Sequence, residues 1–172
     1  MSRNVEIKAH VSDRSSLEAR TKAIATEGPF EILQDDTFFT CTNGRLKLRM
    51  FGKDRGELIF YQRTNHAGPR ESFYLVSETT QPEVLRDSLA LAYGVSGRVK
   101  KHRTLYLINR TRVHLDRVEG LGEFMELEVV LNEGDSLDEG NIEARNLMQQ
   151  LGIDQSELIT GSYADLISEL NR

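Results

Sequence analysis

The chain has 172 residues, 38% of them hydrophobic, with 22 Lys or Arg against 27 Asp or Glu and a formal net charge of −5. That length suits one domain over residues 1–172 with a sizeable core, and the acidic balance argues against nucleic acid as a partner. No apolar run is long enough for a bilayer, the first ten residues lack a signal peptide's apolar stretch, and a lone cysteine, Cys41, excludes an intrachain disulfide and a cysteine metal site; a cytoplasmic protein with no membrane partner is expected.

In chain order, alternation predicts a first strand over Arg3–Val11. A helix follows from Ser12, with Ser15 and Glu18 in capping-box spacing and Gly28 as its stop. Strands over Phe30–Cys41 and Gly44–Gly52 meet at Asn43-Gly44, a hairpin signal. Gly56 marks a second tight turn before strands Glu57–Arg63 and Arg70–Thr79. Pro82 suits the first turn of a helix ending near Gly94. Three more strands follow, Arg98–Ile108, Thr111–Val118 and Glu123–Leu131. A helix over Asp138–Leu151 stops at Gly152, and a short amphipathic helix, Tyr163–Leu170, closes the chain.

Eight strands joined mostly by short turns predict an α+β protein built on an antiparallel sheet. Eight are enough to close a barrel, which removes exposed edges and leaves the helices outside.

Residues two apart on a strand share a face. On one parity the strands carry Asn4, Glu6 and Lys8; Arg45, Lys47 and Arg49; Tyr61 and Arg63; Ser72 and Tyr74; Lys101 and Arg103; Arg112, His114 and Asp116; and Glu126 and Glu128. Apolar neighbours such as Val5, Ile7, Leu46, Leu48, Met125, Leu127 and Val129 occupy the other. The charged face must meet water or line a polar interior, and the second option would be a ligand site. Its bases outnumber its acids although the whole chain is acidic. Its acids also cluster, because Asp116, Glu126 and Glu128 lie on adjacent strands across the Gly120–Gly122 turn. Such a group is unfavourable unless a cation sits within it.

Hard carboxylate oxygens suit Mg²⁺ or Mn²⁺, and converging Arg and Lys side chains suit phosphate oxygens. No Gly-rich phosphate loop is present, so any phosphate site is built from side chains. Taken alone, His114 reads as a polar neighbour, and Asp35 and Asp36 as surface or turn-adjacent charges. His10, His66 and His102 have no metal spacing, and Ser72 has no base partner for a nucleophile's role. The plain alternative is an antiparallel sheet with one wet face.

The segments NVEIKA, GRLKLR, LIFYQR, VKKHR, VHLD and GLGEFMELE, in that order, resemble the strand motifs of the CYTH superfamily, the triphosphate tunnel metalloenzymes. The likeness covers nearly the whole chain. Through GLGEFMELE and the C-terminal SY it is most like the bacterial class IV adenylate cyclase-like and thiamine-triphosphatase-like branch. It implies an eight-stranded tunnel that binds a triphosphate with a divalent metal. Glu6, Glu126 and Glu128 would be metal ligands, with Asp116 as a ligand or a group behind them. Lys8, Lys47, Arg49, Arg63, Lys101 and Arg103 would hold phosphate oxygens, with Arg45 and Arg112 added by parity. Glu6, Lys8, Glu126 and Glu128 would carry the catalysis. Two departures stand out: Asn4 replaces the first Glu of the signature, and Phe38 and Phe39 occupy a strand where some triphosphatases carry a tunnel tyrosine.

The implied activity is metal-dependent hydrolysis of inorganic triphosphate, ATP or another organic triphosphate. Cyclisation of ATP to cyclic AMP, a non-catalytic polyphosphate- or nucleotide-binding module, and a scaffold with a wet sheet face remain open. Oligomeric state, a homodimer included, is open too.

Overall fold

The computed structural model describes residues 2–63 and 67–172, with Arg63 described by its backbone alone. Its strands are β1 (Ser2–His10), β2 (Glu27–Phe39), β3 (Arg45–Met50), β4 (Gly56–Arg63), β5 (Arg70–Thr79), β6 (Val95–Ile108), β7 (Thr111–Val118) and β8 (Gly122–Leu131). Its helices are α1 (Arg14–Ile24), α2 (Pro82–Tyr93), α3 (Leu137–Leu151) and α4 (Tyr163–Leu170), with one 3₁₀ turn at Gln155–Glu157. The strands pair antiparallel in the closed order β1-β5-β4-β3-β2-β6-β7-β8, and β8 returns to β1. Among the described residues, no helix is long and apolar enough to cross a membrane.

Strand parity sets the two sides of this ring. Val5, Ile7, Leu127 and Val129 are at most 1% exposed and pack outward, beneath α1 and α3, with Leu17, Ala144, Leu147 and Leu151. Each aliphatic side chain buried this fully contributes about 1.5–3 kcal/mol, which fixes the other parity inward. Helix α3 lies close against the strands because Gly140 has no side chain. A Cβ there would come within 2.8 Å of Leu131 Cδ2 and Val5 Cγ2. A second, smaller cluster, with Phe38, Val99, Val118, Phe124 and Tyr163, seats α4 across one end of the ring.

Several local expectations change. Helix α1 is capped by Asp13, whose side chain accepts from the Ser16 amide at 3.0 Å, and not by Ser15 with Glu18. Gly28 is no helix stop. The helix ends at Ile24, and Gly28 lies inside β2 at an irregularity of the β2–β6 ladder. Its φ of +107° and an approach of 2.7 Å between a built Cβ and the Leu105 carbonyl explain the glycine. The Asn43-Gly44 signal falls in a loop over residues 40–44, longer than a two-residue turn. Strand β2 starts before Phe30, and β6 starts at Val95, directly after Gly94. Ladder pairing with the neighbouring strand extends both beyond their alternating segments.

Candidate functional site in the strand tunnel

The inward parity lines a cavity of about 550 Å³, within the range of small-molecule sites. Nine of the residues expected at a site line it: Glu6, Lys8, Lys47, Arg49, Lys101, Arg103, Arg112, Glu126 and Glu128. Among the described residues its lining holds seven Lys or Arg and six Asp or Glu, a balance unlike that of a chain whose formal charge is −5. Burial therefore sorts charge as well as polarity. Ser162 and Tyr163, at the start of α4, line it as well, as do the apolar Ile32, Leu33, Phe51 and Leu105.

The acidic wall comes from β1, β7 and β8. Ladder register sets Glu6 opposite Glu128 and Lys8 opposite Glu126, and sets Arg112 opposite Glu128 and His114 opposite Glu126. Lys8 Nζ is 2.7 Å from Glu126 Oε1 and 4.0 Å from the centre of the Tyr163 ring. Arg103 Nη2 is 2.7 Å from Glu126 Oε2. Arg112 Nε is 2.9 Å from Glu128 Oε2, a charge contact without hydrogen-bond alignment, and its Nη2 donates to the Tyr74 hydroxyl at 3.1 Å. Burial opposes ionisation of Glu126, but Lys8 and Arg103 outweigh it and hold the carboxyl well below the usual range. Glu128 is also lowered, against burial, by His114 and Arg112. Burial and then Arg103 lower the His114 pKa, which favours neutral imidazole.

Atoms of His114, Glu126 and Glu128 lie within 4.8 Å of one another, one donor from each residue. His114 Nδ1 is buried without a hydrogen-bond partner, and so is Asn4 Oδ1, on the same lining. Two carboxylates, an imidazole and an orphaned amide oxygen fit a divalent cation. His114 thus stands in the metal-spaced group, against its reading as a polar neighbour. The signal for it was parity, which places it on one face with Arg112 and Asp116. Glu6 lines the cavity nearby and is 3.0 Å from Arg70 Nε. Arg70, 2% exposed, also donates to the Thr160 carbonyl at 2.7 Å. It begins its strand, where alternation gives no warning.

The basic wall comes from β3 and β6, and β2 sets Asp36 against it. Lys47 Nζ is 2.8 Å from Asp36 Oδ2. Arg49 reaches the same carboxylate with Nε and Nη2, each at 2.8 Å. Asp36 is 1% exposed and lines the tunnel, which corrects its reading as a surface charge. The β2–β3 register sets it opposite Arg49. Asp35, on the opposite parity, does pair with Arg98 on the outside. Burial, then Arg49, push the Lys47 ammonium down to about 8. Burial, then Arg103, push Lys101 down to about 7.

Asp116 is not in the metal-spaced group. It accepts from Arg103 Nε at 2.7 Å and Nη2 at 2.6 Å, and from the Tyr163 hydroxyl at 2.8 Å. Burial and then Glu126 raise the Tyr163 hydroxyl well above its usual pKa, so it keeps its proton and donates. Arg45 does not line the cavity. It holds α4, with Nη2 at 2.8 Å from Asp165 Oδ2 and Nη1 at 2.8 Å from Ser162 Oγ. The Arg63 side chain and His66 lie outside the described residues. His10 packs on Phe124 and His102 pairs with Glu31, apart from one another. Phe38 lines the tunnel, and Tyr61, Tyr74 and Tyr163 bring phenol hydroxyls to the same lining.

The CYTH domain model matches residues 2–163. Adenylate cyclase CyaB of Aeromonas hydrophila is 25% identical over 83% of this chain and 91% of its own. The PH1012 protein of Pyrococcus horikoshii OT3 superposes with a TM-score of 0.83 at 21% identity, covering 95% of this chain and 98% of that one. HpAC1 of Hippeastrum, a candidate adenylyl cyclase described with a dominant triphosphatase activity, superposes with a TM-score of 0.66 at 14% identity, covering 98% and 95%.

Proposed function

The chain belongs to the CYTH domain family, and from that premise we propose that it is a divalent-metal-dependent enzyme that binds a triphosphate in the strand tunnel and hydrolyses it. The observation that carries this reading is the convergence of a basic wall and an acidic wall on one cavity. The HpAC1 activity supports hydrolysis.

In this reading Lys47, Arg49, Lys101 and Arg103 hold phosphate oxygens, with Lys8 and Arg112 at the rim of the acidic wall. Glu6, Glu126 and Glu128 would hold Mg²⁺ or Mn²⁺. When bound, the cation supplies neutralisation of phosphate oxygens as a Lewis acid. Water attacks the terminal phosphorus, the new P–O bond forms as the bridging P–O bond breaks, and diphosphate leaves with orthophosphate as the other product. The lysines and arginines offset the charge that builds on the bridging oxygen as it departs. Placing them beforehand is the protein's main contribution, because few covalent changes are left for it to assist.

A second reading, cyclisation of ATP, is favoured by the CyaB relative. There the ribose 3′-hydroxyl attacks the α-phosphorus and pyrophosphate leaves.

The purified protein with Mg²⁺ or Mn²⁺ is given inorganic triphosphate or ATP, and orthophosphate and cyclic AMP are followed. Orthophosphate release is expected. Cyclic AMP without orthophosphate would replace hydrolysis with cyclisation, and tight binding without turnover would reduce the protein to a binding module. Glu128→Gln should remove metal-dependent turnover with the fold retained; full activity in that variant would sink the metal assignment.

A further inference from the structure

We propose that His114 is a direct ligand of the divalent cation through Nδ1, so that the site is a mixed nitrogen–oxygen centre that favours Mn²⁺ over Mg²⁺. The inference rests on the reading of the tunnel as a metal-assisted triphosphate site and adds a residue and a metal preference to it.

The geometry around His114 is specific. Its side chain is 4% exposed, and Nδ1 has no hydrogen-bond partner. That nitrogen faces Glu126 Oε2 at 3.6 Å and Glu128 Oε1 at 3.9 Å. A hydrogen bond from a ring nitrogen to a carboxylate would close to about 2.7–3.2 Å. Two donors of one cation, each about 2.0–2.2 Å from it, stand about 3–4 Å apart. Both spacings fit donors around one ion and exceed the length of a ring-nitrogen hydrogen bond.

The surroundings fit the same arrangement. His114 and Glu126 are directly opposed on β7 and β8, and Glu128 is the next inward residue, so two paired strands hold all three donors. Glu128 turns Oε2 to Arg112 and Oε1 to His114. Glu126 turns Oε1 to Lys8. Glu128 thus has one oxygen on Arg112 and one toward the imidazole, while Glu126 Oε2 faces the imidazole and also accepts from Arg103 Nη2 at 2.7 Å. On β1, Asn4 stands where a carboxylate would add charge, and its Oδ1 is likewise buried without a partner. A neutral imidazole in place of an all-oxygen set works against Mg²⁺, the harder and more strictly oxygen-bound ion, more than against Mn²⁺, which stands at the weak end of the transition series but accepts a nitrogen donor beside carboxylates.

The test uses the full chain without substrate. Mn²⁺ binding is titrated by electron paramagnetic resonance, and Mg²⁺ is added as a competitor. Electron spin-echo modulation of the Mn²⁺-loaded protein then reads directly coordinated nitrogen. The expected result is ¹⁴N modulation that changes to the ¹⁵N pattern when histidine is ¹⁵N-labelled. A variant with His10→Gln, His66→Gln and His102→Gln should keep it, and His114→Gln should lose it. Mn²⁺ affinity should fall by about tenfold or more in His114→Gln, with a smaller loss for Mg²⁺. If the triple variant lacks nitrogen modulation while Mn²⁺ affinity still depends on Glu128, His114 is not a ligand and the carboxylate site stands. If Mn²⁺ is not held, or is held equally by Glu128→Gln, the metal reading falls and this inference with it. The triple variant retains His114, so the experiment decides even where His114→Gln misfolds.

Discussion

Arg49 and Asp36 face each other across the β2–β3 ladder, with the guanidinium Nε and Nη2 each 2.8 Å from a carboxylate oxygen. Lys47 shares the second oxygen, also at 2.8 Å. The basic wall therefore carries its own counter-charge, and a phosphate that engages Lys47 and Arg49 competes with Asp36. Burial opposes ionisation of Asp36, yet Arg49 and Lys47 hold its pKa well below the usual carboxylate value.

Asp36→Asn should therefore make stability depend on anions. Removing one member of a buried ion pair costs about 3–5 kcal/mol, so unliganded Asp36→Asn should melt well below the parent protein. Inorganic triphosphate should raise its melting temperature by more than it raises the parent's. Equal shifts in the two proteins would show that Asp36 and the anion do not compete.

Anion affinity should fall as pH rises above about 7. Lys101 in the unliganded protein titrates at about 7 and Lys47 at about 8, both lowered by burial first. A bound polyanion favours the charged amines and raises both values. Its binding energy is then complete below the unliganded pKa values and is lost as pH rises through the liganded ones. Calorimetry in buffers of different ionisation enthalpy, at pH 7.5 to 8.5 (a range set by those two values), should detect proton uptake on triphosphate binding. Heat independent of the buffer would contradict it.

Asp116→Asn should destabilise the fold by about 3 kcal/mol, because it leaves the Arg103 guanidinium buried without its bidentate partner. Adding Arg103→Met should recover only part of the loss, because it also takes the Arg103 contact from Glu126. Burial works against the Asp116 carboxylate, but Arg103 and Lys101 bring its pKa down to about 2, from 3.8. A depressed folded-state value means stability that is present above about pH 4 and lost as pH falls toward 2. Urea denaturation across that window should show a steeper acid dependence in the parent than in Asp116→Asn. Identical slopes would remove Asp116 from the acid response.

Asn4→Glu should tighten divalent-cation binding, because it adds a charged oxygen ligand to a lining where Asn4 Oδ1 has no partner. In the absence of metal the same change should lower stability, since the new carboxylate shares a buried face with Glu6 and Glu128. Isothermal titration with Mn²⁺ and a parallel melt check both parts. Unchanged metal affinity would place Asn4 beyond the ion's reach.

Much of the site was legible from alternation alone. Glu6 and Lys8, Lys47 and Arg49, and Glu126 and Glu128 are separated by apolar residues whose burial leaves them one direction to point. His114 shares that face, but nothing near it in sequence shows that Glu126 lies directly across the ladder. The inward direction of Asp36 is hidden for a related reason. In sequence it is one of two adjacent aspartates, and only strand pairing separates them, one toward the tunnel and one toward Arg98. Arg45 shared the basic parity, yet its partner is Asp165, 120 residues later.

The amino-acid sequence by itself determined which side chains the strands send inward, since a period of two and the demand to bury Val5, Ile7, Leu127 and Val129 are local facts. It also carried the eight-strand count and the closing helix. Only the tertiary structure decided who meets whom: Arg49 with Asp36, His114 with Glu126 and Glu128, and Tyr163 with Asp116. Those pairings depend on register around a closed ring, where shifting one ladder by a residue would turn a whole strand face outward. That constraint acts between segments far apart in the chain.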